Sequence, residues 1–212
     1  MASARRIGAE TSKTRDVLLD AVEKLMLSDG YAVVTYRAVA AKAGVTSGLV
    51  QYYFPTLDDV FLAAIRRRSG QNLERLTAAL QARPDEPLRV LWDYSQEEST
   101  AALTIEFLAL GNHRKSIRSL IAEVSEQVRQ LQLDALANRT DTDLSTFAGL
   151  TPGALLFLIT GIPKLVRLEE GVGMNTAHRD IVEFFEQYLA NAEPKPTSGS
   201  RQSRPKAKPS SS

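Results

Sequence analysis

Between Thr35 and Pro55 the chain has room for two short helices and a tight turn, and this stretch constrains the fold more than any other. Thr35 offers an N-cap hydroxyl to a helix over Tyr36–Ala43, whose inward positions are Val39, Ala40 and Ala43. Gly44-Val45-Thr46 breaks that helix. Gly44 is free to take positive φ, and Thr46 or Ser47 can cap a further helix that runs from Gly48 to Phe54 and stops at Pro55. Upstream, Val17, Leu18, Ala21, Val22, Leu25 and Met26 recur at steps of three and four, which places them on one face of a longer helix over Thr11–Ser28. Gly30 stops it, and Tyr31–Val34 form a short apolar connector. The sum is a supporting helix followed by a helix-turn-helix. Ordinary all-α proteins also contain a short alanine-rich helix, a glycine and another helix, so the spacing alone leaves both readings open.

The rest of the chain repeats the helical period with clear punctuation. Thr56 can cap a fourth helix carrying Leu57, Val60, Phe61, Ala64, Ile65, Leu73, Leu76 and Leu80, with Asp58 and Asp59 in its first turn, where carboxylates suit the helix dipole. Further helices are expected at about 86–97, 99–112, 114–138, 152–170 and 175–190, separated by Pro87, Gly111, residues 140–149, Pro152 and Gly171-Val172-Gly173. No period-two alternation competes. The expected fold is all-α, with about nine helices: a small three-helix head joined to a larger bundle. The expected organisation is a flexible basic arm over 1–10, a helix-turn-helix domain over 11–56, a ligand-binding and dimerisation domain over 57–192, and a disordered basic tail over 193–212.

Charge is partitioned along the chain although it nearly cancels overall, at +1. Residues 1–55 carry +2, 56–193 carry −6, and 194–212 carry +5 with no acidic residue. The Pro-, Ser- and Lys-rich tail has no apolar period to bury; it either solvates the chain or attracts a polyanion. There is no cysteine, which excludes disulfides, thiolate chemistry and cysteine-ligated metal, and fits a reducing cytoplasm as the expected location. The apolar run Ala154–Ile159 is too short to cross a bilayer, no secretory signal is visible, and no membrane partner is expected. An enzyme has little to work with. The two histidines, His113 and His178, are far apart, no phosphate-binding, hydrolase or zinc-protease motif occurs, and the Glu97-Glu98 and Glu169-Glu170 pairs point to different helix faces. No catalytic residue, metal site or cofactor is expected.

From Gly30-Tyr31 to Phe61 the sequence resembles the tetracycline-repressor-like (TetR) family of bacterial transcription regulators. The resemblance rests on Gly30, Tyr31, Thr35, Arg37, Val39, Ala40, Ala43-Gly44-Val45-Thr46, Gly48, Tyr53-Phe54-Pro55, Asp58-Asp59 and Phe61. It implies a homodimer whose heads enter successive major grooves of double-stranded operator DNA, and whose bodies hold a small-molecule pocket that controls DNA release. Repression is the usual outcome, and activation is also compatible with these residues. Two positions depart from the family pattern: Leu57 stands where a phosphate-contacting basic residue is common, and Gln51 where tyrosine is common. Gln51 can pair with adenine through two hydrogen bonds. The missing basic residue and the modest head charge leave a second reading, a helical dimerisation or adaptor protein with a degenerate DNA-binding head.

Within that resemblance, Val45, Val50 and Phe54 face inward, and Ser47, Gly48, Leu49, Gln51 and Tyr52 can reach base edges. Thr35, Arg37, Thr46, Tyr53 and Thr56 supply the hydroxyl, guanidinium and helix-terminal N–H groups that fix register on phosphates, the three threonines doubling as caps. Arg5, Arg6 and Lys13 can form an arm over the neighbouring backbone or minor groove. Trp92, Tyr94, Leu103, Phe107, Leu110, His113, Ile121, Val124, Val128 and Phe157 fall on the helices that surround the family's cavity, which predicts a hydrophobic effector; plain core packing is the alternative for each. The last two helices carry Leu155, Leu156, Ile159, Ile162, Val166, Ile181, Phe184, Phe185 and Tyr188, too apolar for lone exposed helices. They fit a four-helix dimer interface, with intrachain core as the alternative.

Overall fold

The computed structural model describes residues 2–137 and 150–193. Among them the chain is all helix and turn, with no strand. The α-helices are α1 (Ala2–Asp29), α2 (Tyr36–Ala43), α3 (Ser47–Tyr53), α4 (Leu57–Ala82), α5 (Pro87–Gln96), α6 (Glu98–His113), α7 (Lys115–Ala137), α8 (Pro152–Gly171) and α9 (His178–Ala192), with a single 3₁₀ turn at Tyr31–Val33. Helix α1 starts at Ala2, so residues 2–10, read from sequence as an arm, continue the first helix. The expected tail lies outside the described residues except for Glu193. That residue belongs to the folded body: it is buried and bonded to α5.

Local chemistry accounts for the head. Leu18, Leu19, Ala21, Val22 and Met26 bury one face of α1, and Gly30, at φ 80°, ends it. Thr35 caps α2 by accepting from the Ala38 N–H at 3.1 Å. Gly44, at φ 70°, ends α2 in the left-handed region, and the Val45 N–H returns to the Ala40 carbonyl at 2.9 Å. Thr46 caps α3, and Thr56 caps α4 in a reciprocal box with Asp59. The Tyr36 hydroxyl donates to the Phe54 and Pro55 carbonyls at 3.1 and 2.9 Å, fixing the corner between α3 and α4. Arg67 ties α4 back to α1 through Glu23 at 2.6 Å and Asp20 at 2.8 Å.

Two apolar cores follow, and their boundary is not the one the chain order suggests. The first joins α1–α3 and the start of α4 to Leu103, Phe107 and Leu110 of α6 and Ile117 and Leu120 of α7. The second gathers Leu76, the buried face of α5, Leu136, Leu155, Leu156 and Ile159 of α8, and Phe185 and Leu189 of α9. The head therefore rests directly on the α6–α7 corner. Pro163 sits inside α8 without ending it, buried one turn beyond Ile159, whose carbonyl loses its usual N–H partner there.

Candidate nucleic-acid interface and internal cavity

Helix α3 presents two chemically different faces. Val50 is fully buried and Phe54 nearly so, with Val45 half-buried against them, which anchors the helix in the head. Ser47, Gly48 and Gln51 are exposed, Leu49 is half-buried, and Tyr52 is 77% exposed. Tyr53 is half-buried and meets Tyr52 edge to face at 5.4 Å, so the two phenols flank the end of α3. Thr35, Arg37, Thr46 and Thr56 are all exposed, at or next to the N-termini of α2, α3 and α4. Each threonine serves as a cap. Leu57 is half-buried against the head core and offers no charge.

The junction between head and body is polar and specific. The Tyr31 N–H donates to a Glu106 carboxylate oxygen at 2.8 Å, linking the turn after α1 to α6. Asp58, in the first turn of α4, accepts from Ser116 at 2.8 Å and from Arg114, whose guanidinium also lies over the Phe61 ring. The Ser116 and Arg114 bonds hold the Asp58 carboxyl below the usual carboxylate range against the opposing effect of burial.

Below this junction a cavity of about 340 Å³ opens between α4, α5, α6, α7 and α8. Of the residues that the resemblance implies for a pocket, Tyr94, Leu103, Phe107, Ile121, Val124 and Val128 line it. Trp92, Leu110, His113 and Phe157 are not part of its wall. Trp92 faces away from Tyr94 and stacks on Phe185 at 5.0 Å, its indole N–H donating to Glu186 at 2.7 Å. Burial raises the Glu186 carboxyl, but its bonds from Arg89 and Trp92 outweigh that and bring it below its ordinary value. Leu110 belongs to the head-side core. His113 is exposed at the end of α6, near the Tyr31 ring, and Phe157 is 65% exposed with the Arg129 guanidinium 5.7 Å from its ring centre. The wall also holds residues that apolar periodicity does not mark: Arg68, Asn72, Arg129, Gln132, Thr160 and Lys164.

The candidate dimer residues divide in the same way. Leu155, Leu156, Ile159 and Phe185 are buried within the chain, while Ile162, Val166, Ile181 and Tyr188 are half-buried and Phe184 is 51% exposed. The exposed apolar stripe of α8 is instead Phe157, Leu165 and Leu168, at steps of eight and three, continued by Val172 beyond the helix. Helical spacing carries that signal once the inward face is known.

Comparison with known proteins agrees with this architecture. Residues 18–64 match the amino-terminal domain of "Bacterial regulatory proteins, tetR family". The chain is 27% identical over 148 residues to the HTH-type transcriptional repressor BepR of Brucella suis biovar 1 (strain 1330), covering 69% of this chain and 68% of that protein. It is 33% identical over 89 residues to the HTH-type transcriptional regulator AcrR of Shigella flexneri, covering 42% of this chain and 41% of that protein. Among solved structures, the multidrug binding protein EbrR in complex with malachite green superposes with a TM-score of 0.57 at 28% identity, over 85% of this chain and 98% of that one. The helix-turn-helix head, the nine-helix architecture among the described residues and these relatives agree: residues 18–64 carry the amino-terminal domain of the tetR-family bacterial regulators, and the chain beyond them is similar in sequence and fold to transcriptional regulators.

Proposed function

We propose that the chain is a ligand-responsive repressor that binds a pseudo-palindromic operator as a homodimer and is released when a small molecule fills the cavity. The observation that carries this reading is the double role of α6. Leu103, Thr104, Phe107 and Leu108 line the cavity, while Glu106 on the same helix holds the turn beneath the head. A ligand that displaces α6 must also shift or break that bond, which changes the angle at which α3 is presented. On the head, the exposed Ser47, Gly48, Gln51 and Tyr52 with the half-buried Leu49 read bases, and Thr35, Arg37, Thr46, Tyr53 and Thr56 fix register on phosphates. The exposed Phe157, Leu165, Leu168 and Phe184 on α8 and α9 supply the face that a second copy covers.

Selection of random duplex DNA by the purified protein at near-physiological salt tests this directly. The expected result is a two-fold-related site with half-sites about one helical turn or more apart. The second reading, an adaptor with a degenerate head, has Leu57 in its favour, an apolar side chain at the start of α4 where the pattern has a cation. Enrichment of no sequence by protein refolded free of any trapped ligand would overturn the repressor reading and leave the adaptor one.

A further inference from the structure

Among the described residues, the charges in the cavity wall are all of one sign. Arg68, Arg129 and Lys164 line it, and no aspartate or glutamate does among the described residues. Arg68 comes from α4, Arg129 from α7 and Lys164 from α8, so the cations reach the cavity from three different helices. The Arg129 charge acts on Lys164, and among the described residues neither pairs with a carboxylate. Arg129 instead lies over the Phe157 ring. The remaining wall divides into an apolar part, Leu103, Phe107, Ile121, Val124 and Val128, and hydroxyl or amide groups, among them Thr160 and Gln132, which is buried.

We infer that the cavity takes an amphiphilic organic anion, its carboxylate or equivalent acidic head between Lys164 and Arg129 and its apolar body against Leu103, Phe107, Ile121 and Val124. The inference rests on the cavity being the effector site proposed above, and it narrows the hydrophobic effector that the resemblance implies to one with an acidic head. Two like charges held together beside an apolar wall repel each other and lose hydration. Burial, and then the Arg129 charge, push the Lys164 ammonium below its ordinary value. A bound anion reverses both effects, since charge-assisted bonds to ammonium and guanidinium are among the stronger polar contacts and strengthen where water is displaced. A lipophilic cation meets the opposite situation and is repelled. The selectivity expected here therefore differs in sign from a site suited to a cationic dye such as malachite green, with which EbrR is complexed.

Isothermal titration calorimetry on the full chain, without DNA, with three probes of equal chain length tests this: decanoate, decan-1-ol and decyltrimethylammonium. Decanoate is expected to bind at least about tenfold more tightly than decan-1-ol, and decyltrimethylammonium more weakly than either. Lys164→Met and Arg129→Met should each erase most of the decanoate preference while leaving decan-1-ol binding and the far-UV circular dichroism spectrum unchanged, which separates lost charge recognition from lost folding. Equal or tighter binding of decan-1-ol or decyltrimethylammonium by the parent would overturn the inference. So would a decanoate preference that survives in a folded Lys164→Met, Arg129→Met double variant, or no binding of any of the three probes. Because no DNA is present, this outcome is independent of operator recognition; decanoate that binds without releasing a selected operator counts against the regulatory reading alone.

Discussion

The amino-terminal end of α5 is capped from the other end of the body by the buried Glu193, and removing that cap should cost more than its place just past the last helix suggests. Pro87 occupies the first helical position and Glu86 makes no side-chain cap bond, so the Leu88 and Arg89 N–H groups need another acceptor. Glu193, just past α9, accepts from both at 2.8 Å, across 105 and 104 residues of sequence. In Glu193→Ala the buried Leu88 N–H keeps no partner, at about 2 kcal/mol, and the partly exposed Arg89 N–H is rescued in part by water, at about 1 kcal/mol. The expected loss is about 3 kcal/mol, or about 6–12 °C in Tm for a chain of this size at fixed protein concentration. Glu193→Gln keeps one acceptor oxygen but loses the charge at the helix N-terminus, and should fall between, at about 1–2 kcal/mol. Thermal melts by circular dichroism measure the loss. Emission from Trp92, the chain's only tryptophan and one turn along α5, reports on this helix in particular. An alanine variant that melts within about 1 °C of the parent would refute the reasoning, because it would mean that water replaces both bonds at no cost.

Four further outcomes are expected. Gln51→Ala or Tyr52→Ala should relax preference at particular base pairs by about 1–3 kcal/mol, whereas Arg37→Ala should weaken all duplexes alike and reduce the salt slope by about one, both read by fluorescence anisotropy on selected and scrambled sites. Glu106→Ala removes the bond to the Tyr31 N–H, and under the proposed mechanism it should reduce the ligand-dependent change in DNA affinity more than DNA affinity itself; an unaltered ratio of liganded to unliganded affinity would contradict α6 coupling. Phe184→Glu puts a charge on the exposed face of α9 and, if that face is covered by a second copy as proposed, should shift sedimentation toward a single chain, with helix content retained. Asp58 and Glu186 both have lowered folded-state values, so the stability they contribute is complete above their unfolded values, near about pH 4, and is lost as pH falls through the folded ones. The acid limb of a Tm-against-pH curve should accordingly be shallower in Asp58→Asn than in the parent.

How far the sequence reveals this molecule depends on whether the relevant physics is local. Thr35, Gly44, Thr46 and Thr56 act within a few residues of themselves, and the helix boundaries they set around α2, α3 and the start of α4 can be read before any coordinates exist. The inward and outward faces of α3 follow from a single turn of spacing, Val50 to Phe54. Residues whose role depends on contacts across the bundle are hidden. Trp92 and Tyr94 look equivalent on paper, yet α5 is buried on nearly every side, so that Tyr94 faces the cavity and Trp92 faces Phe185. Helix α8 is apolar on two faces. Its pattern alone cannot say that Leu155 and Ile159 serve this chain's own core while Phe157 and Leu165 point outward. Lys164, Arg129 and Glu193 read as solvated charges in any local window, and only the packing of α4, α7, α8 and α9 brings them to a cavity wall or a helix end.

The division of the molecule into two cores bears on how a signal would cross it. Had the head a core of its own, joined to the body through α4 alone, movement around the cavity could dissipate in that one helix. Instead Leu103 and Phe107 belong at once to the cavity wall and to the core that holds Val39, Val50 and Phe54. A close-packed core does not deform by degrees: a displaced side chain is accommodated by its neighbours in a new packing or is resisted. Under the proposed mechanism a ligand that pushes on Leu103 or Phe107 is therefore acting on the same packing unit that seats α3. The Glu106 bond and the Asp58 cluster at the α6–α7 corner limit the ways in which that unit can rearrange. Trimming Phe107 to alanine should uncouple cavity from head in a way that trimming Val128, which lines the cavity but packs with the second core, should not.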